Sequence, residues 1–348
     1  MSQLPAYDPV QSYRWNYEHA PDATAGVDVS TLPGDWSFCG LPVASPLGIP
    51  AGPLLNGKWI LYYASLGFDV LTYKTVRSGP RECYPLPNLV PVAVDAMNGD
   101  EGAVPATGEQ TGSWAVSFGM PSADPVIWRE DIAETRRRLA EGQLLSVSVV
   151  GTIQPGWSIE ELADDYALCG RWAAESGADC VEANLSCPNV STCDGQLYQR
   201  PADAAVVAAR IRAAVPDRPF MVKIGHMPDR NEAAALLDAI GGIVDAIVMT
   251  NSVAASVVDE NGQPLFDGAR RGICGRATRE AALKQVETFA SLVRERDLDM
   301  KLVGVGGIGT AADVRAFLDA GAESVQLATA AMLDPEVALK IRRDWPAL

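Results

Sequence analysis

The chain has 348 residues, of which 48 % are hydrophobic, and this length and composition are typical of a globular protein with a sizeable core. Its 28 basic and 44 acidic residues give a net charge of −16, which argues against nucleic acid and anionic membrane surfaces as partners. No stretch approaches the roughly 20 apolar residues that cross a bilayer. The amino terminus also lacks the pattern of a signal peptide, so we expect a cytoplasmic protein.

The cysteines and histidines limit the chemistry that the chain can perform. Seven cysteines form no CxxC pair, so the sequence predicts neither a zinc site nor an iron–sulfur cluster, and we expect no metal. Because His19 and His226 are the two histidines, a histidine-based catalytic triad has little to draw on.

Residues 1–44 are polar, aromatic and proline-containing, and they predict an N-terminal extension that packs under the domain formed by residues 45–348. From residue 45 onward, short apolar runs alternate with segments of helical periodicity. The runs are SPLGIPAG (45–52), FDVLTYKT (68–75), LLSVSVVG (144–151), ADCVEANL (178–185), PFMVKIG (219–225), VDAIVMTN (244–251), KLVGVGG (301–307) and ESVQLAT (323–329).

Short strands that are apolar on both faces and alternate with helices predict βαβ units and a parallel sheet. Eight such runs match the strand count of a TIM (β/α)8 barrel, and a doubly wound open sheet is the alternative. Residues 76–122, which are rich in glycine and proline, interrupt the alternation after the second run. They predict a long excursion that forms the roof of a site at the carboxyl ends of the strands.

Function in a TIM barrel resides where the strands end, and here those ends carry polar or glycine residues. These residues are Ala51, Gly52, Lys74, Thr75, Asn184, Cys187, Asn189, Lys223, Thr250, Asn251, Ser252, Gly306, Gly307, Ala328 and Thr329. A single lysine or asparagine at a strand end is usually solvated, but two lysines, three asparagines and a cysteine around one mouth predict a binding site.

The clearest part of this pattern is GVGGIGTAADV (304–314), which follows the seventh run. Gly306 and Gly307 allow backbone N–H groups to close around a phosphate, and Thr310 is a candidate cap for a helix that begins near Ala311. Since the loops after strands 7 and 8 are the usual phosphate site of TIM barrels, the segment predicts a phosphate-bearing cofactor or substrate. A glycine-rich tight turn without a ligand is the alternative.

Several motifs occur in the order and spacing of the dihydroorotate dehydrogenase family, which the chain resembles over roughly residues 45–340. They are NLSCPN (184–189), VKIG (222–225), TNS (250–252), GVGGI (304–308) and VQLAT (325–329). In addition, LTYKT (71–75) is similar to the corresponding strand in the FMN domain of dihydropyrimidine dehydrogenase.

The resemblance implies a TIM barrel that holds FMN across its mouth. The implied flavin contacts are Ala51, Gly52, Thr75, Lys223, Gly275, Gly306, Gly307, Ala328 and Thr329, with Lys74 near the flavin or the substrate. A cation such as Lys223 near the flavin N1 region stabilises the anionic reduced ring.

The resemblance also implies the roles of the residues around NLSCPN. Cys187 corresponds to the base that removes a proton from the substrate while a hydride passes to flavin N5, and a cysteine there is typical of the soluble class. The side chains that correspond to ligands of the substrate ring are Asn184, Asn189, Asn251 and Ser252. Residues 189–201 resemble the mobile loop that covers the substrate.

Three positions depart from the family pattern. YPLPN (84–88) has Asn88 where arginine is expected, VSFGMPS (116–122) has Val116 where asparagine is expected, and AGPLLNG (51–57) has Leu55 where the membrane-associated class has lysine. These departures favour a ring that is related to orotate but different from it, because a lost donor to a carboxylate is costly.

The leading hypothesis is an FMN-dependent oxidoreductase that interconverts a carbon–carbon single and double bond next to a carbonyl in a small nitrogen heterocycle. Dihydroorotate oxidation and the reduction or dehydrogenation of a dihydropyrimidine or specialised-metabolite ring are the alternatives within it. A non-redox, phosphate-binding TIM-barrel lyase or isomerase is the alternative from another class, and a catalytically idle flavin-binding protein is a third.

The electron partner is open. The chain has no GxGxxG fingerprint and no iron–sulfur pattern, so we expect a soluble electron acceptor or donor, or a separate reductase. By analogy with soluble relatives, we expect a homodimer.

Overall fold

The computed structural model of the chain describes residues 4–186 and 196–345. Its strands are β1 (Trp36–Phe38), β2 (Leu41–Val43), β3 (Leu47–Ile49), β4 (Val70–Val76), β5 (Leu89–Pro91), β6 (Ala103–Pro105), β7 (Ser113–Val116), β8 (Leu144–Val149), β9 (Cys180–Asn184), β10 (Phe220–Lys223), β11 (Ala246–Met249), β12 (Val253–Val258), β13 (Arg271–Gly275), β14 (Lys301–Val305) and β15 (Ser324–Gln326). Its α-helices are α1 (Tyr13–Glu18), α2 (Gly57–Ser65), α3 (Pro125–Arg138), α4 (Ile159–Glu175), α5 (Pro201–Ala214), α6 (Arg230–Ile240), α7 (Arg279–Glu295), α8 (Ala311–Asp319), α9 (Thr329–Leu333) and α10 (Val337–Asp344).

Eight of the strands close into a barrel in the order β3, β4, β8, β9, β10, β11, β14 and β15. All neighbouring strands in it are parallel, and helices connect them along the chain. Seven of the eight predicted apolar runs contain one of these strands, and the run at 68–75 covers all of β4 except Val76. The TIM-barrel prediction is therefore confirmed, and the doubly wound open sheet is wrong.

The sequence forms this barrel because its strands are apolar on both faces. Every residue of β4, β8 and β9 is buried, as expected for parallel strands with helices outside and a filled interior. Several helices begin at side-chain caps. Ser158 and Glu161 form a capping box at α4, and Thr310 accepts a hydrogen bond from the Asp313 N–H at α8. The predicted cap at Thr310 is thus confirmed.

A short hairpin closes the amino-terminal end of the barrel. In it β1 pairs antiparallel with β2, and Phe38 and Val43 belong to one buried apolar cluster with Cys180, Met221 and other residues of the barrel strands. This apolar hairpin plug separates the barrel interior from solvent at that end. A ligand can therefore approach the interior from the carboxyl ends of the strands.

Helix α1 lies elsewhere. Its Tyr13 packs edge-on against Phe118 with ring centroids 6.0 Å apart, and Phe118 belongs to the excursion that covers the barrel mouth. Residues of the N-terminal segment therefore contact both ends of the barrel, not its lower end alone. The division into residues 1–44 and 45–348 stays a prediction.

A second sheet covers the mouth, with its five strands in the order β5, β7, β13, β12 and β6. The predicted excursion 76–122 supplies β5, β6 and β7, whereas β12 and β13 come from a second excursion after β11. This roof sheet is tied to the barrel by the buried Arg77, whose guanidinium donates to the carbonyls of Met120 (3.1 Å) and Gly151 (2.8 Å). The roof is therefore held in a fixed position above the strand ends.

Among the described residues, no helix combines the length and the apolar character that a bilayer crossing requires.

A buried ion pair fastens the last helix to the start of β4. Arg342 of α10 donates to a carboxylate oxygen of Asp69 at 2.6 Å, and the two side chains are only 3 % and 6 % exposed. The same guanidinium donates to the carbonyls of Gly67 and Ser30, both at 2.9 Å, and to the Ser45 hydroxyl at 2.8 Å. The Arg342 guanidinium thus donates to four oxygen atoms, as a buried charge requires.

We expect Arg342→Met to lower the free energy of unfolding by about 3–5 kcal/mol, because it leaves the Asp69 carboxylate buried without a cation. Urea denaturation measures this loss. The matched control is Arg343→Met, since Arg343 pairs with Asp344 at the surface, with side-chain exposures of 69 % and 59 %. The control should change the free energy by less than about 1 kcal/mol. Equal losses in the two variants would contradict the role given to Arg342.

Candidate active site

The predicted site residues surround the open mouth of the barrel. Since all eight barrel strands are parallel, their carboxyl ends lie on one side. Residues within or directly after these ends are Ala51 and Gly52 after β3, Lys74 and Thr75 in β4, Asn184 in β9, Lys223 in β10, Thr250, Asn251 and Ser252 after β11, Gly306 and Gly307 after β14, and Ala328 and Thr329 after β15. Gly275 reaches the mouth from the roof strand β13.

Five of these residues line one cavity of about 510 Å³, the glycine-lined cavity. They are Gly275, Gly306, Gly307, Ala328 and Thr329. Asn251 is a sixth predicted residue that lines it, so the amide cluster, which Asn251 forms with Asn184, reaches the candidate phosphate site there.

Gly306 and Gly307 have φ values of 127° and 70°, which side chains rarely adopt. A Cβ at Gly306 would lie 2.8 Å from the Ala282 Cβ, and one at Gly307 would lie 2.6 Å from the Arg279 Cβ. Glycine is therefore required at both positions. The main chain at this point forms the cavity wall without side chains, as a backbone that cradles a phosphate must.

Thr329 supplies a polar atom to the same cavity. Its side chain is 4 % exposed, and its hydroxyl has no hydrogen-bond partner among the described residues. A buried hydroxyl without a partner costs free energy, and a phosphate oxygen in the cavity would satisfy it. The glycine backbone and this hydroxyl together fit a phosphate ester.

Two arginines of the cavity were missed in the sequence. Arg276 and Arg279 line it beside the glycines, and Arg279 also donates to Asp313 at 2.8 Å. They follow Gly275 in GRATR, so the signal was a pair of cations directly after a glycine. It was missed because the segment follows a roof strand, not a barrel strand.

Two asparagines meet at Ser186, the last described residue before residue 187. The Asn184 Oδ1 accepts a hydrogen bond from the Ser186 N–H at 3.1 Å, and the Asn251 Nδ2 donates to the Ser186 carbonyl at 3.0 Å. The structure thus brings Asn184 and Asn251 together as predicted partners. The predicted residues Cys187 and Asn189 lie outside the described residues.

The roof contacts the same cluster. The Asn184 Nδ2 donates to the Met120 sulfur at 3.6 Å, and Met120 has a positive φ of 52° directly after Gly119 at 73°. A non-glycine residue in that conformation is uncommon and is concentrated at ligand sites. The tight roof loop therefore places a thioether against the amide that the sequence predicts to bind substrate.

Three of the predicted residues line other cavities at the mouth. Ser252 lines one of about 380 Å³ with Ser186, Tyr198 and His226. Lys74 and Thr75 line one of about 310 Å³ that Tyr13 and Tyr17 of α1 cover. Ser252 and Lys74 are thus not brought into the glycine-lined cavity. Ser186, which accepts from Asn251, connects the amide cluster to the cavity of Ser252.

Both predicted lysines are buried, Lys74 to 6 % exposure and Lys223 to 4 %. Burial raises the pKa of the Cys274 thiol to about 11, and the positive charge of Lys223 opposes that rise. Burial likewise raises the pKa of the Cys83 thiol to about 11, against the charge of Lys74. The two ammonium groups therefore act on different parts of the mouth, Lys223 near the glycine-lined cavity and Lys74 near α1.

The three departures from the family pattern have structural partners here. The Asn88 amide donates to the carbonyls of Tyr84 (3.0 Å) and Ser117 (2.9 Å), so it stabilises a roof turn. Val116 ends β7 and pairs with Leu89 and Gly272 on the neighbouring roof strands. Leu55 is buried and lines the cavity of Lys74.

A TIM barrel with a glycine-lined cavity after its last two strands, and with buried lysines and amides at its mouth, is typical of an enzyme that binds a small ligand at the carboxyl ends of its strands. The family model described as "Dihydroorotate dehydrogenase" matches residues 35–348. The chain belongs to the dihydroorotate dehydrogenase family, and it is an oxidoreductase acting on CH–CH bonds. This family is flavin-dependent, and the alternative of a non-redox lyase or isomerase is wrong.

Individual relatives agree with this assignment. The dihydroorotate dehydrogenase of Dictyostelium discoideum is 33 % identical over 362 aligned positions, which cover 97 % of this chain and 96 % of that protein. The catalytic subunit of dihydroorotate dehydrogenase B (NAD(+)) from Desulforudis audaxviator is 28 % identical and covers 88 % of this chain and 90 % of its own length. A crystal structure of the Eimeria tenella enzyme with ferulenol has the same fold, with a TM-score of 0.72 at 18 % identity over 95 % of this chain and 88 % of that one.

Proposed function

We propose that the protein is an FMN-dependent oxidoreductase that converts dihydroorotate to orotate by removing hydrogen across a carbon–carbon bond next to a carbonyl. The observation that carries this proposal is the relative named dihydroorotate dehydrogenase that aligns with 97 % of the chain. When bound, FMN supplies an N5 position that accepts a hydride.

The chain offers suitable groups for FMN. The phosphate would be held by Gly306, Gly307 and the Thr329 hydroxyl, whose lack of another partner supports this role. The buried Lys223 would place its charge beside the flavin ring, where it favours the reduced, anionic form. The remaining proposed contacts are Ala51, Gly52, Lys74, Thr75, Gly275 and Ala328.

The substrate ring would be bound by Asn184, Asn189, Asn251 and Ser252, with Lys74 as a cation for its carboxylate. Amide side chains both donate and accept, as the ring N–H and C=O groups require. The hydrogen bonds at Ser186 hold Asn184 and Asn251 in fixed positions, so less conformational entropy is lost when the ring binds.

Cys187 would act as the base. Its thiolate would take the proton from the carbon next to the carbonyl, while the neighbouring carbon loses a hydride. The substrate would thus lose one proton to Cys187 and one hydride to the flavin. A thiolate suits this step because a thiol pKa of about 8.5 can be lowered towards the working pH.

Cys187→Ala should keep FMN bound and slow the reduction of the flavin by dihydroorotate at least about 100-fold, which is the usual contribution of a general base. Anaerobic stopped-flow absorbance measures this rate. Cys193→Ala, a change in the same segment, is the control and should react like the wild type. Reduction of the Cys187→Ala protein at the wild-type rate would show that another group takes the proton.

Thr329→Val should weaken FMN binding about tenfold or more, because a hydrogen bond to a charged group contributes about 1.5–3 kcal/mol. The apoprotein should be as stable as the wild type or more so, since the change removes an unpaired buried hydroxyl. Fluorescence titration of the apoprotein with FMN measures the affinity. The control is Ser324→Ala on the preceding strand β15, which removes another buried hydroxyl that has no partner in the described part of the chain. An unchanged FMN affinity in Thr329→Val would remove the hydroxyl from the phosphate site.

A neutral dihydropyrimidine is the second candidate substrate, favoured by Asn88, Val116 and Leu55 at the three departing positions. Anaerobic addition of dihydroorotate and of dihydrouracil, which lacks the carboxylate, separates the two. We expect dihydroorotate to bleach the flavin bands at least tenfold faster. Faster bleaching by dihydrouracil would support the second candidate, and no bleaching by either would reject both substrates.

The electrons would leave the flavin to a soluble acceptor or through a separate reductase. The homodimer and the cytoplasmic location stay predictions, and sedimentation velocity tests the first of them.

A further inference from the structure

Glu182 is a carboxylate enclosed in the barrel interior. It lies in β9 two residues before Asn184, its side chain is 0 % exposed, and both of its oxygens lack a hydrogen-bond partner among the described residues. Cys180, the residue two positions earlier in β9, packs on the hairpin plug that separates this end of the barrel from solvent. Glu182 thus lies between the plug and the candidate active site.

The strand register places Lys223 next to it on the mouth side. On β10, Met221 is opposite Glu182 and Lys223 is opposite Asn184, while on β8, Ser148 is opposite Glu182. Residues two apart on a strand point to the same face, so Lys223 is the diagonal neighbour of Glu182 inside the barrel.

The positive charge of Lys223 affects two ionisable groups, Glu182 and Cys274. Burial raises the pKa of Glu182, and the positive charge of Lys223 opposes that rise. Burial also raises the pKa of the Cys274 thiol, which lines the glycine-lined cavity, and the charge of Lys223 opposes that rise too. The ammonium is therefore within electrostatic reach of the buried carboxylate and of the cavity at once.

A buried ionised carboxylate is costly unless a cation compensates it, and a buried ammonium has the same requirement. Lys223 is 4 % exposed, and Lys223 and Glu182 each supply the charge that the other needs. Together they carry no net charge beneath the cavity, whereas Lys223 alone would carry one positive charge.

We propose that Glu182 is an ionised positioning residue that balances the charge of Lys223 and thereby sets the midpoint potential of the bound flavin. This inference rests on the proposed binding of FMN. It assigns a role to a residue that contacts neither flavin nor substrate and acts through Lys223.

The test compares the midpoint potential of FMN in the wild type and in Glu182→Gln, by anaerobic reduction with a reference dye. Removing the negative charge leaves Lys223 uncompensated, which favours the anionic reduced flavin. We expect the equilibrium constant for two-electron reduction to rise at least tenfold, equivalent to a positive shift of about 30 mV. Glu182→Asp retains the charge and should stay closer to the wild type than Glu182→Gln does.

Ser146→Ala is the matched control for disturbance of the barrel interior. Ser146 is a buried residue of β8 whose hydroxyl also lacks a partner among the described residues. It carries no charge, so its removal should leave the potential unchanged. The proposal is overturned if the equilibrium constant for two-electron reduction in Glu182→Gln stays within threefold of the wild-type value. An equal shift of the midpoint potential in Ser146→Ala overturns it as well.

A second measurement uses the wild-type holoenzyme and Glu182→Asp, and it decides the question if Glu182→Gln does not fold. An infrared difference spectrum between the oxidised and reduced enzyme, in H₂O and in D₂O, reports whether a buried carboxyl is protonated. We expect no carboxylic acid C=O band, and a band that shifts in D₂O and changes frequency in Glu182→Asp overturns the proposal. Failure of the wild type to bind FMN would instead overturn the proposed function.

Discussion

Closure of the barrel is the constraint on which the rest of the structure depends. Once eight parallel strands form a ring, all of their carboxyl ends lie on one side and every side chain that points inward shares one interior. The hairpin β1–β2 fills the opposite end with apolar groups such as Phe38 and Val43. Polar groups inside the ring can therefore meet a ligand only from the mouth. The roof sheet then controls access to that mouth.

The strands could be predicted because their signal is local. A run such as FDVLTYKT is apolar on both faces, and a parallel strand buried by helices outside and side chains inside needs that composition. The roof strands β12 and β13 could not be predicted in the same way. In the structure the residues of VAASVV in β12 alternate between buried and half-buried positions, but the sequence itself lacks the alternation of apolar and polar residues that predicts a half-buried strand. The two strand partners of β12 are β6, from a distant part of the chain, and β13, from the same excursion, and β13 pairs in turn with β7.

The site residues likewise fall into two groups, those with a local signal in the sequence and those without one. Asn184, Asn251 and the two glycines Gly306 and Gly307 could be found because each follows or ends an apolar run, and the barrel brings such ends together. Arg276 and Glu182 could not. Arg276 reaches the cavity through roof packing. Glu182 is one of two acids within ADCVEANL, and its role depends on which strand lies beside it. Local periodicity carries no information about lateral neighbours, so the pairing with Lys223 required the register.

The ion pair between Arg342 and Asp69 joins residues that are 273 positions apart. During synthesis the chain leaves the ribosome amino terminus first, so Asp69 and the strand it precedes are exposed long before Arg342 exists. Until then the Asp69 carboxylate has no cation of its own and favours water over the interior. The ion pair that holds the start of β4 therefore forms only after α10 has been synthesised. A chain that stops before α10 would carry all eight barrel strands and still lack the ion pair that joins the start of β4 to α10.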